Sequence, residues 1–137
     1  MAITAISAQN LTDAWNSRRP EAVAARYAPD GVRVVMAFPG GRVEGREALA
    51  EHVREIMTAC PDCVLETRSE GGSADGLLTF EWTFRATQTA DFGAIPGNGQ
   101  AVELNGVSVI AMDGGLIREE RAYWDGATLM AGGGMLG

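Results

Sequence analysis

The chain has a single histidine, two cysteines, and 11 basic residues against 18 acidic ones in 137 positions. Each shortage removes a class of chemistry. One histidine, His52, cannot supply a His-based triad or a facial metal site, and two cysteines cannot close a four-ligand zinc site without a second pair. The cysteines stand as "CPDC", Cys60 to Cys63. A redox CxxC pair usually opens a helix, where the dipole favours the thiolate; this one follows a helix and opens a strand. Two reduced, partly buried thiols are therefore expected. The formal charge of −7 disfavours nucleic acid and anionic membrane surfaces as partners, because both call for basic patches. "SRRP" at 17–20 is too small to count as one. No apolar run approaches the roughly 20 residues of a membrane span, and the N-terminus lacks the basic-then-apolar layout of a secretory signal. A cytoplasmic protein is expected.

What is present is an ordinary globular composition, 46% hydrophobic and 21% charged, in a length that suits one domain over residues 1–137. Helical spacing over 4–18 sets Leu11, Ala14 and Trp15 on one side, with Thr4 or Ser7 as the N-cap. Pro20 suits the first turn of a shorter helix running through Tyr27 and ended by "APDG". "GVRVVMAF" (31–38) reads as a strand stopped by "PGG". Residues 45–59 form the clearest amphipathic helix, with Leu49, Val53, Ile56 and Met57 on one face. His52, between Glu51 and Val53, is expected on the exposed side. The second half consists of four strands separated by Gly-, Asp- and Asn-containing turns, of which "MDGG" at 112–115 is a strong hairpin signal. The longer "ADFGAIPGNG" (90–99) carries Phe92 and Ile95 at its tip, where it can flap over a pocket. Helices first and long antiparallel strands after them define an α+β fold. About three helices against a strongly curved sheet make a cone with room for a cavity.

Side chains alternate across a strand. In 79–87 one face carries Phe80, Trp82 and Phe84, which meet either core or pocket. In 102–112 the odd row holds Asn105 and Val107. In 119–125 one row holds Glu119, Arg121, Tyr123 and Asp125; the other holds Glu120, Ala122 and Trp124. Asp125, after two aromatics, either caps the next turn of "GATLM" or stands at an apolar pocket because chemistry needs it there. Glu81 and Arg85 belong to a solvated or interface face.

The order of elements, with "TFEWTFRATQTADFGAIPGNGQAVE" (79–103), "MDGGLIREERAYWD" (112–125), "AWNSRRPEAVAARYAPDGVRVV" (14–35) and "GREALAEHV" (45–53), resembles the nuclear-transport-factor-2-like (cystatin-like) cone. Within that fold the chain resembles the SnoaL-like polyketide cyclases. Similarity to ketosteroid isomerases fails where they need a tyrosine and two aspartates: those positions read Leu11, the 35–38 stretch and Val107. Similarity to limonene-type epoxide hydrolases fails at Trp82, Phe84, Val35 and Ala37, leaving only the last aspartate, Asp125. The cyclase resemblance implies an intramolecular aldol closure without a cofactor or metal, on a small apolar carbonyl compound, with one aspartate, mapped to Asp125, as acid and base. Asn105 and Tyr123 are then candidate donors to the enolate oxygen. Trp15, Phe38, Phe80, Trp82, Phe84, Val107, Phe92 and Arg121 are candidate substrate-binding residues. The superfamily likeness also implies homodimerisation through the exposed sheet face. The competing expectation is a carrier of small hydrophobic ligands, or a dimerisation module, on the same fold.

Overall fold

A computed structural model describes residues 7–37, 41–72, 76–93 and 95–125. Phe38 and the segment 126–137, with the "GATLM" turn that Asp125 was expected to cap, lie outside the described residues. Two helices, α1 (Ala8–Asn16) and α2 (Pro20–Ala24), lead into strand β1 (Tyr27–Val35) and the short β2 (Arg42–Glu44). Helix α3 (Arg46–Ala59) follows, then β3 (Val64–Gly72), β4 (Leu77–Gln88), β5 (Gln100–Asp113) and β6 (Leu116–Trp124). The strands form one mixed sheet in the order β2-β1-β6-β5-β4-β3. Only the β1–β6 pair is parallel. The α+β architecture is the expected one, with the curved sheet left open rather than closed.

Local chemistry accounts for most boundaries. Ser7 caps α1 through a reciprocal box with Asn10, satisfying two otherwise orphaned backbone donors. Pro20 opens α2. The second helix is shorter than its sequence suggests: Tyr27 already belongs to β1, which runs through Pro29 and Asp30 with a register irregularity between Tyr27 and Val32. The "APDG" signal marks that irregularity, not a helix stop. Residues 90–99 are less free than a flap. The Gln88 side chain donates to the carbonyls of Ala90 (3.2 Å) and Ile95 (3.0 Å), and Gln100 donates to Gln88 Oε1 (3.1 Å).

Register decides which side chains reach the interior. Trp82 stands opposite Gly106 and Phe80 opposite Ser108, so the even-numbered residues of β4 and β5 share a face. The two-residue turn at Gly114 and Gly115, both at positive φ (60° and 86°), closes the β5–β6 hairpin with Asp113 opposite Leu116. That turn alone would set the odd residues of β6 beside the even residues of β5. A bulge intervenes: Met112 pairs with Ile117 but Ala111 with Glu119, skipping Arg118. One extra residue exchanges the two faces of everything beyond it. Glu120, Ala122 and Trp124 therefore turn inward, and Glu119, Arg121 and Tyr123 outward.

Gly106 owes its place to the same register. A Cβ there would lie 2.3 Å from the Trp82 ring, so the indole lies across β5 only because that position has no side chain. Gly106→Ala should lose about 1–3 kcal/mol of stability through forced repacking, read by urea unfolding, and should shift tryptophan emission. A change within 0.5 kcal/mol, on the order of ordinary surface substitutions, would show that Trp82 does not need the gap.

Candidate active site

Between the helices and the inner sheet face lies a cavity of about 290 Å³. This is the lower end of the range for small-molecule sites, roughly 300–1,000 Å³, and suits one or two fused rings. Most of its wall is apolar. Trp15 from α1, Phe80, Trp82 and Phe84 from β4, Phe92 from the 90–99 loop and Trp124 from β6 all line it. The three tryptophans of the chain are thus all at the cavity.

One part of the wall is polar and highly connected. Arg33 and Glu120 are partners in the parallel β1–β6 ladder, both inward and both nearly sealed, at 8% and 4% exposure. Arg33 Nε lies 3.4 Å from Glu120 Oε1. The hydroxyl of Tyr27 donates to that same oxygen. Ser108 Oγ donates to Glu120 Oε2 at 2.8 Å and accepts from Trp82 Nε1 at 3.0 Å. Glu120 is thereby oriented from both ends. Tyr27 is fully buried; burial first, and the adjacent Glu120 charge second, push its phenol well above its ordinary range. It stays protonated and remains a donor.

Arg33 also donates through Nη1 to His52 Nε2 at 2.7 Å. A guanidinium can only donate, so His52 Nε2 is the acceptor and the ring proton sits on Nδ1. Burial, followed by the positive charge of Arg33, lowers the His52 pKa to about 4. The imidazole is neutral at pH 7. Phe92 meets it edge-on at 6.4 Å between centroids, and Trp15 lies under the guanidinium, 5.7 Å from it.

Placement corrects several expectations. Asp125 is exposed, follows the last residue of β6 and is not among the residues that line the cavity. Tyr123 is 41% exposed, on the outer face of β6. Arg121 pairs there with Glu119 at 2.8 Å. Asn105 is exposed on the outer face of β5, accepting from Thr83 Oγ1 at 2.7 Å, and Val107 shares that face. The physical reason is the register: with Trp82 inward, Asn105 and Val107 of β5, and the odd residues of β6 beyond the bulge, must face out. Trp15, Phe80, Trp82, Phe84 and Phe92 do meet at the cavity.

The residues missed are Glu120, Arg33, Tyr27, Ser108 and His52. His52 is not on the exposed side of α3; it lines the cavity one turn before Ile56, which also does so. Its i+3 spacing from Leu49 and i−4 spacing from Ile56 was the available signal. Arg33 between valines in "VRVV" was a second one: a charge in a strand buried on both faces has a partner. Cys60 also reaches the cavity, but burial raises its thiol pKa to about 11, so it is not a nucleophile at neutral pH. Among the described residues no cluster of His, Cys, Asp and Glu is arranged to hold a metal ion, and no helix is long and apolar enough to cross a membrane.

Helices on a curved sheet, with an apolar cavity between them, make this an α+β cone of the ketosteroid-isomerase-like fold. The sequence matches the SnoaL-like polyketide cyclase family over residues 5–132, and the chain belongs to that family. Solved structures agree on the fold at low identity. A Catenulispora acidiphila protein with a ketosteroid-isomerase-like fold, in complex with trimethylamine, is 17% identical, with a TM-score of 0.81 over 97% of this chain and 95% of that one. IdmH of Streptomyces antibioticus, a candidate polyketide cyclase, is 22% identical (TM-score 0.75; 92% and 94% covered). AclR of Streptomyces galilaeus, a candidate hydroxylase, is 21% identical (TM-score 0.78; 94% and 83% covered). No curated protein matches by sequence.

The depressed His52 pKa carries a stability consequence. The unfolded chain binds a proton on His52 below about 6.5, whereas the folded chain resists until about 4. The contribution from neutral His52 is therefore complete above pH 6.5 and is lost as pH falls toward 4. Relative to His52→Gln, which still accepts from Arg33, the wild type should lose as much as roughly 3 kcal/mol across that window. Denaturant unfolding of both proteins from pH 7 to pH 4 measures it; parallel curves would rule out a neutral, buried imidazole.

Proposed function

We propose that the protein is an enzyme that moves protons on a small, largely apolar carbonyl compound, in the manner of a polyketide cyclase or an isomerase. Glu120, not Asp125, is its general acid and base. The observation that carries this reading is a carboxylate at the wall of an aromatic cavity, aimed by Tyr27 and Ser108. A C–H beside a carbonyl is acidic enough for a carboxylate held close to it. Glu120 takes that proton, and the electron pair moves onto the carbonyl oxygen as an enolate. In an aldol closure the enolate carbon then attacks a second carbonyl of the same molecule, and the resulting alkoxide recovers the proton. Aromatic walls that hold the chain in a folded shape supply the proximity that such a closure needs. These steps use side chains alone and call on no cofactor or metal.

One observation favours a second reading, a carrier that holds such a compound without transforming it. Both oxygens of Glu120 already accept hydrogen bonds from the protein, so each is engaged within the wall before any ligand arrives.

Exchange of the C1 protons of 2-tetralone in D2O, followed by NMR, separates the two without knowledge of the natural substrate. The wild type should accelerate exchange. Glu120→Gln, and Glu120→Asp, which keeps the charge but withdraws it by one methylene, should each lose at least about 100-fold, the scale of a lost acid–base group. Asp125→Asn should stay within a few-fold of wild type. Loss confined to Asp125→Asn would return the role to the outer residue, and no acceleration by wild type would leave the carrier.

A further inference from the structure

Among the described residues Arg33 is hydrogen-bonded through Nη1 alone. Nη1 is committed to His52, and Nε is turned toward Glu120. No described residue accepts from Nη2. Of the buried side-chain nitrogens and oxygens among the described residues, only Nε of Arg33 lacks a hydrogen-bond partner, and Arg33 lines the cavity. A guanidinium at 8% exposure whose buried Nε lacks an acceptor is expensive to keep, because each buried donor left without an acceptor forfeits hydration. Trp15 beneath it and His52 beside it hold the plane in one orientation. The neighbouring groups also fix the charge. Arg33 and Glu120 cancel as an ion pair, and His52 adds none at neutral pH.

We propose that the Nη2 edge of Arg33 is the subsite for a ligand's carbonyl oxygen, and that it selects uncharged oxygen acceptors over carboxylates. A neutral carbonyl completes the guanidinium without adding net charge to an apolar cavity, and gains a charge-assisted hydrogen bond. A carboxylate would leave the cavity with one uncompensated negative charge beside Glu120, which is costly in such surroundings. If the ligand is enolised, the same edge faces the oxygen on which negative charge grows. The assignment rests on the cavity being a carbonyl site, as in the function proposed above, but not on turnover.

The three cavity tryptophans make binding readable by fluorescence quenching without any reaction. Three probes of similar bulk separate the contributions: 2-tetralone, tetralin, which has no oxygen, and 2-naphthoate, which is anionic. In the wild type 2-tetralone should bind at least tenfold tighter than 2-naphthoate. The ratio of tetralone to tetralin affinity should fall at least tenfold in Arg33→Met. Because Arg33→Met strands Glu120, the double variant Arg33→Met/Glu120→Gln, which removes both charges together, is measured alongside and should show the same fall. Glu120→Gln alone should keep the tetralone preference while losing proton exchange. An unchanged tetralone/tetralin ratio in the folded double variant would overturn the subsite, and tighter binding of 2-naphthoate than of 2-tetralone would overturn its selectivity. If wild type binds as expected but exchanges no protons, the subsite stands and the catalytic reading falls, so the two failures are distinguishable.

Discussion

Arg33 and Glu120 sit opposite one another on the only parallel strand pair of the sheet, and the rest of the site is arranged around their mutual burial. Neither charge is tolerable alone in a wall of tryptophan and phenylalanine. Their pairing draws in Tyr27, Ser108 and Trp82 on the carboxylate side and His52 and Trp15 on the cation side. A pair of this kind seldom adds net stability over a well-packed apolar alternative. Its presence at a cavity wall is therefore better explained by use than by folding. Glu120, Ser108, Arg33 and His52 each have at least two partners in the network, which fixes their placement.

Seen along the chain, the network joins distant segments. Tyr27 and Arg33 come from the first third, His52 from α3, and Trp82, Ser108 and Glu120 from three successive strands of the second half. Each residue alone has an ordinary explanation: a core tyrosine, a surface-helix histidine, one of two adjacent glutamates. Only the sheet order, with β6 inserted between β1 and β5, makes them neighbours. That order is a long-range property, and local propensity has no access to it.

The fold was legible in the sequence to the extent that its signals were local. The α3 amphipathic pattern, Pro20 and the Asp113-Gly114-Gly115 turn all announced themselves, and the cap of α1 was narrowed to Thr4 or Ser7. The aromatic row of β4 was legible because alternation within one strand is local as well. What failed was the transfer of that alternation from strand to strand. Trp82 inward obliges Gly106 and then Trp124 to be inward, given the pairing, and a bulge at Arg118 has no compositional mark. Asp125 followed from the cyclase resemblance, with Tyr123 and Asn105 as its companions, and these two lie on the opposite faces. Tyr27 was missed because Pro29 and Asp30 read as a turn, although here they sit inside an irregular strand.

The unpaired Arg118 decides which of two polar complements the cavity wall receives. Were it drawn into the ladder opposite Ala111, as the hairpin turn alone would place it, β6 would turn over beyond that point. The interior would lose Glu120 and Trp124 and receive Glu119, Arg121 and Tyr123. Removing the residue altogether would instead leave Glu119 opposite Ala111 and Glu120 inward, so the bulge is the one place in this strand where a deletion spares the wall.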